Sequence, residues 1–122
     1  MSDILKTCDE IREVAYAIHC FFGHGHLEKV YENAMVNRLS KAGFNVKQQV
    51  PITVNDEDGT VVGEYVADLL VDDELIIELK AVDAVCEAHT AQILGYLRAT
   101  GLKHGLLTNF GASRFQIKKY IL

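Results

Sequence analysis

The stretch Tyr65-Val66-Ala67-Asp68-Leu69-Leu70-Val71-Asp72-Asp73-Glu74-Leu75-Ile76-Ile77-Glu78-Leu79-Lys80-Ala81-Val82 decides how the rest of the chain is read. Two apolar runs flank a charged tripeptide, the pattern of two strands joined by a tight turn. The spacing predicts strands over Val61–Val71 and Leu75–Val82. Counting outward from a turn centred on Asp73 pairs Leu70 with Ile76 and Asp68 with Glu78, and places Lys80 on the same side as Glu78. Two carboxylates and an amine would then converge inside an otherwise apolar strand, where an unpaired charge costs several kcal/mol.

On the N-terminal side, Val46, Val50, Ile52 and Val54 alternate with polar residues, so 45–54 reads as a further strand, with Pro51 suited to a sheet edge. Asn55–Thr60 is the turn that joins it to the next strand, and the three strands form an antiparallel meander. Before them the period is helical. Ile11, Val14, Ala15, Ile18 and Phe22 mark a helix from Asp3 to Phe22, ended by Gly23-His24-Gly25. Leu27, Val30, Tyr31, Ala34, Met35 and Leu39 mark a second over 26–42, with Gly43 placed as a left-handed cap. On the C-terminal side, 84–101 is helical, and Ala88, Ala91, Gly95 and Ala99 form a small-residue side expected to approach the sheet. Strands follow at Gly105–Phe110 and Phe115–Leu122. The order ααβββαββ, with no repeat or linker, predicts a single α/β domain over residues 1–122, built on a mixed sheet of four to five strands flanked by helices.

A chain of 122 residues that is 49% apolar and 24% charged suits one compact core and excludes a disordered chain. No run approaches the roughly 20 apolar residues of a membrane span, and Met1-Ser2-Asp3-Ile4-Leu5-Lys6 lacks the order of a secretory signal. A cytoplasmic location without membrane contact is the expectation. Cys8, Cys20 and Cys86 have no CxxC spacing, and read as reduced thiols. Cys20, His24 and His26 fall short of a four-ligand zinc site. The net charge of −5 argues against tight binding to nucleic acid through phosphates alone. A site that gathers carboxylates around a divalent cation is acidic by necessity, however, and the cation supplies compensating charge.

Asp68, Glu78 and the backbone carbonyl of Leu79 are hard oxygen donors suited to Mg²⁺ or Mn²⁺, which keep waters and accept phosphate oxygens. Lys80 beside them could orient or deprotonate an attacking water and stabilise charge on the phosphate. By spacing alone the trio fits a cross-strand ion-pair cluster equally well. Glu28, three residues after Gly25, is by itself a first-turn acid favoured by the helix dipole, and Tyr31 falls on the apolar stripe.

The run Gly25-His26-Leu27-Glu28-Lys29-Val30-Tyr31 resembles the signature of the GxxExxY family, and Gln49-Val50-Pro51, Tyr65–Val71 and Ile77–Val82 look like its later blocks. That family resembles the PD-(D/E)XK nuclease superfamily, in particular its RecB-like branch. The resemblance implies a restriction-endonuclease-like core with Asp68 and Glu78 as metal ligands, Leu79 adding its carbonyl, and Lys80 as catalytic lysine. Glu28 would complete the metal shell directly or through water. Gln92-Ile93-Leu94-Gly95-Tyr96 is similar to the RecB-like Gln-x-x-x-Tyr element, which with Tyr31 would meet nucleic acid, while His89 sits one turn earlier.

The function expected from this is Mg²⁺- or Mn²⁺-dependent hydrolysis of nucleic-acid phosphodiesters, with DNA favoured over RNA. The alternative is a catalytically silent nuclease-fold module acting in binding or assembly. A domain this small offers little surface for two substrate strands, and a second copy or a larger complex would supply more.

Overall fold

The structure, a computed structural model, describes residues 3–122. Helices α1 (Ile4–Phe22) and α2 (Glu28–Lys41) precede strands β1 (Val46–Asn55), β2 (Val61–Val71) and β3 (Leu75–Lys80), then α3 (Glu87–Thr100), β4 (His104–Asn109) and β5 (Gln116–Ile121). The five strands form one sheet in the order β1-β2-β3-β4-β5, parallel between β3 and β4 and antiparallel elsewhere. This is the expected order and the expected mixed sheet. Pro51 lies on the edge strand, where its missing N–H breaks no interior ladder.

Helices cover both faces of the sheet. Ile11, Ala15 and Ile18 of α1 and Tyr31, Met35 and Leu39 of α2 pack with Leu69, Val71, Leu75, Ile77, Leu79 and Leu106. Ile93, Tyr96 and Leu97 of α3 pack with Ile52, Ala67, Ile76 and Leu107 on the other face. Burying these branched and aromatic side chains, at roughly 1.5–3 kcal/mol each, is the main term holding the layers together. No helix of the described residues is long and apolar enough to cross a membrane.

The expected small-residue face of α3 is corrected by the structure. Ala88 and Ala91 are exposed, and the helix turns Ile93, Tyr96 and Leu97 inward. Close approach is instead provided from the strand side by Gly105, where a Cβ would lie 2.9 Å from Ile93 Cδ1 and 3.3 Å from Leu97 Cδ1. α3 also starts later than expected, at Glu87, because the His89 ring accepts the Cys86 backbone N–H at 3.2 Å and caps the helix there. That occupies His89 structurally.

β3 stops at Lys80 rather than Val82. Beyond it the Asn109 side chain replaces a strand partner: its Oδ1 accepts from Val82 N at 3.1 Å and its Nδ2 donates to Val82 O at 3.0 Å. The β2–β3 turn is centred where the sequence places it, with Asp72 and Asp73 both left-handed (φ 51° and 56°), a conformation Asp tolerates better than most residues. Asp72 is further held by two bonds to Asn45, one through its carboxylate and one through its N–H.

Candidate metal and phosphate site

The expected register between β2 and β3 holds for three pairs, Val71 with Leu75, Leu70 with Ile76 and Leu69 with Ile77, and then the ladder ends. Asp68 and Glu78, next in line, exchange side-chain bonds for backbone ones. Glu78 Oε1 accepts the Asp68 N–H at 2.9 Å, and Asp68 Oδ2 accepts the Leu79 N–H at 2.9 Å. Each carboxylate thus satisfies a backbone donor that strand separation would leave unpaired. On its other flank β3 is fully paired with β4, from Leu75–His104 to Lys80–Asn109, and Thr108 Oγ1 donates to the Glu78 carbonyl at 3.1 Å.

β1 bends at the same level. Gln49 has φ 53°, a left-handed conformation uncommon for a residue with a side chain, and it lies between the pairs Gln48–Leu69 and Val50–Ala67. The facing of both strands changes here. Leu69 points to the α1–α2 side while Ala67, two residues away, packs on the α3 side. An undistorted strand would keep them on one face. Asp68 sits at this crossover.

Glu78 is only 2% exposed, and its carboxyl is pushed up to about 8, first by burial and then by the Asp68 carboxylate. Lys80 pulls the other way but forms no ion pair with either acid: among the described residues the ion pairs are Lys29–Glu32 and Lys47–Asp73. Lys80 Nζ instead donates to Gln92 Oε1 at 2.8 Å. An ion-pair cluster is therefore not what the charges form. A cation seated between the two carboxylates would relieve the repulsion that raises Glu78.

The other expected residues fall into place around this pair. Glu28 opens α2 and is exposed as a residue, yet its carboxyl is raised by desolvation and by Asp68, and lowered by Lys80 and a bond from the Ala81 backbone. It therefore faces the same cluster. Among the described residues no three His, Cys, Asp or Glu side chains stand together as a ready-made metal cage. Two carboxylates still fit Mg²⁺ or Mn²⁺, which bind protein through one or two carboxylates and keep water or phosphate elsewhere. The Leu79 backbone lies between the Glu78 and Lys80 side chains, with its N–H on Asp68.

Tyr31 is fully buried, stacked on Phe110 at 4.7 Å, with its hydroxyl donating to Gly23 O at 2.6 Å and accepting from His26 N at 3.2 Å. It anchors the loop that delivers Glu28 rather than facing solvent. Tyr96 is 5% exposed, and its hydroxyl is pushed up to about 12 by burial and by the nearby Glu78 and Asp68 charges. Gln92 bonds Lys80 directly, so of the two members of the Gln-x-x-x-Tyr element it is Gln92 that touches the lysine.

Sequence reading missed Glu32. It is 3% exposed, bonded to Lys29 Nζ at 2.8 Å, to Gln49 Nε2 at 2.8 Å and to Gln48 Nε2. Adjacent strand residues ordinarily point to opposite faces, and the left-handed turn at Gln49 brings both glutamines to one acid. Gln49 Nε2 also lies 3.4 Å from Asp68 Oδ1, linking α2 to the crossover. In the sequence Lys29 and Glu32 look like an ordinary surface pair, so nothing there marks the acid as buried.

The profile of the PD-(D/E)XK nuclease superfamily matches residues 6–120. The chain belongs to the PD-(D/E)XK nuclease superfamily. Asp68 and the Glu78-Leu79-Lys80 tripeptide of this PD-(D/E)XK protein occupy the strands on which the site is built. The crystal structure of a protein designated SSO0001 is similar to it with a TM-score of 0.61 and 19% identity, over 96% of this chain and 60% of that one, which shows a shared fold. This chain thus spans 60% of that protein's length. No curated protein matches it in sequence.

Proposed function

We propose that the protein hydrolyses nucleic-acid phosphodiesters with Mg²⁺ or Mn²⁺, and that DNA is its substrate. The observation that carries this is the buried Glu78 carboxyl set against Asp68 with no ion-pair partner, while the nearby ammonium is turned to Gln92. Such a pair weakens the metal-free fold, and superfamily membership supplies the reason to retain it. Asp68 and Glu78 would hold the ion together with the Leu79 carbonyl, and Glu28 would add to its shell directly or through water. When bound, the ion polarises the phosphate and lowers the pKa of a coordinated water. Lys80, held by Gln92, orients the attacking water and stabilises charge on the phosphate. The water oxygen bonds to phosphorus as the bond to the leaving oxygen breaks, and that oxygen departs with a proton.

A cytoplasmic setting belongs to the same proposal. The net charge of −5 favours one competing reading, a silent nuclease-fold module that binds or assembles without turnover. Purified wild type, Asp68→Ala, Glu78→Ala and Lys80→Ala, incubated with labelled DNA and RNA and either ion, separate the two. Ion-dependent cleavage by wild type alone, with all four proteins folded, is the expected result. Equal cleavage by all four would overturn the site, and no cleavage by wild type would favour the silent module.

A further inference from the structure

Between the β1–β2 hairpin and α3 runs a groove made of two open clefts, about 220 and 410 Å³, that share Tyr65 and Gly95. The inner cleft ends at Gln92, the residue that holds Lys80. The groove is therefore continuous with the candidate site. Tyr65 is 46% exposed, and its ring leans on Tyr96 at 5.3 Å and 39°, so Tyr96 supports a ring whose remaining surface faces solvent. The outer cleft is lined by Arg98, which is exposed and makes no ion pair or hydrogen bond among the described residues.

We infer that this groove is a subsite for an unpaired nucleotide of a single strand, its base stacked on Tyr65 and its backbone phosphate met by Arg98. The charge of the chain points to this mode of binding. With 12 Lys and Arg against 17 Asp and Glu, affinity won by neutralising phosphates is limited. Stacking on an aromatic ring does not depend on net charge, and every unpaired base presents a π-face. A paired base in the interior of a duplex has both faces covered by its neighbours. The groove thus selects strands with free bases next to the scissile phosphate, and in this respect the inference rests on the nuclease reading.

The test is equilibrium binding of the full chain to short labelled strands, with Ca²⁺ replacing Mg²⁺ so that binding is read without turnover. The probes are single-stranded DNA, RNA of the same sequence, the DNA duplex, and single strands carrying one abasic position moved along the chain. Wild type should prefer the single strands. Tyr65→Leu, which keeps an apolar side chain but no ring, should weaken single-strand binding by about 5- to 150-fold, on DNA and RNA alike, with duplex affinity and thermal midpoint unchanged. Tyr65→Phe should bind as wild type. One abasic position should cost wild type as much as Tyr65→Leu does, and cost the variant nothing more. Equal single-strand affinity for wild type and Tyr65→Leu, or a wild-type preference for duplex, would overturn the subsite. Cleavage with Mg²⁺ is scored separately: its absence in wild type defeats the nuclease reading and leaves the binding comparison intact.

Discussion

The two flanks of β3 are built differently. Toward β4 every residue from Leu75 to Lys80 has a strand partner, and Thr108 and Asn109 extend the contact with side-chain bonds. Toward β2 the pairing stops after Leu69–Ile77, and the carboxylates of Asp68 and Glu78 take over the backbone donors. The same strand is thus held rigidly on one side and released on the other. The difference teaches how two acidic side chains can be seated inside a sheet: one flank fixes the backbone, and the other leaves backbone donors for the carboxylates to satisfy.

The largest expected effect comes from the released flank. Glu78→Ala should lower ion-dependent cleavage by on the order of 10³-fold, equivalent to several kcal/mol of transition-state stabilisation, as measured by initial rates on labelled DNA. Lys80→Ala should lower it by about 10²–10³-fold with ion binding retained, since it removes one electrostatic group and no ligand. If both variants kept wild-type rates, the released flank would be a structural irregularity only.

The fixed flank should respond through stability. A Cβ at Gly111 would fall 2.2 Å from Val82 N and 2.3 Å from the Ala81 carbonyl carbon, where the chain leaves β3. Backbone must shift to admit it. Gly111→Ala should therefore cost roughly 1–3 kcal/mol or more in urea melts, as overpacking does. A variant as stable as wild type would mean that this side of β3 is looser than its bonds indicate.

pH sharpens the same contrast. Glu78 titrates at about 8 in the folded metal-free protein against an ordinary value of 4.5, so the folded state holds more protons between these values. Stability contributed by the protonated carboxyl is complete below about 4.5, declines as pH rises through the window, and is gone above about 8. Metal-free wild type should therefore lose stability from pH 5 to pH 8, and Glu78→Gln should lose less, as chemical denaturation at each pH will show. Affinity for the ion should rise over the same window, since it takes the ionised form. Identical pH profiles for the two proteins would remove Glu78 as their source.

The smallest effect is expected at Gln49. Gln49→Gly removes the strain of a left-handed residue, about 1 kcal/mol, and also the side chain bonded to Glu32, so net stability should change little. Ion affinity should weaken a few-fold, because Asp68 loses a neighbour that restrains it. Calorimetric titration measures this directly.

Why some of this was legible in the sequence and some was not has a local cause. The apolar runs Leu69–Val71 and Leu75–Ile77 mark the two strands and the turn at Asp72-Asp73 between them sets the register, and with it the proximity of Asp68 and Glu78, because turn position and turn length are local properties. The end of the ladder at that point is not local. It depends on Gln49 adopting a left-handed backbone, which Gln does not advertise, and on Glu32 accepting both glutamines. The small residues of α3 misled for a related reason: they suggest close packing, but which partner supplies the space is decided across the interface, here by Gly105. Lys80 pairing with Gln92 rather than an acid is likewise set by where α3 docks.

The most direct measurement is the thermal midpoint of wild type and Glu78→Gln at pH 8, with chelator and with increasing Mn²⁺. Glu78→Gln keeps an oxygen to accept the Asp68 N–H while removing the buried ionisation. The account predicts that with chelator the variant melts higher than wild type, and that Mn²⁺ raises the wild-type midpoint in proportion to the logarithm of its concentration but leaves the variant unmoved. A wild type that melts higher than the variant with chelator and does not respond to Mn²⁺ would contradict it, making Asp68 and Glu78 a pair kept for structure.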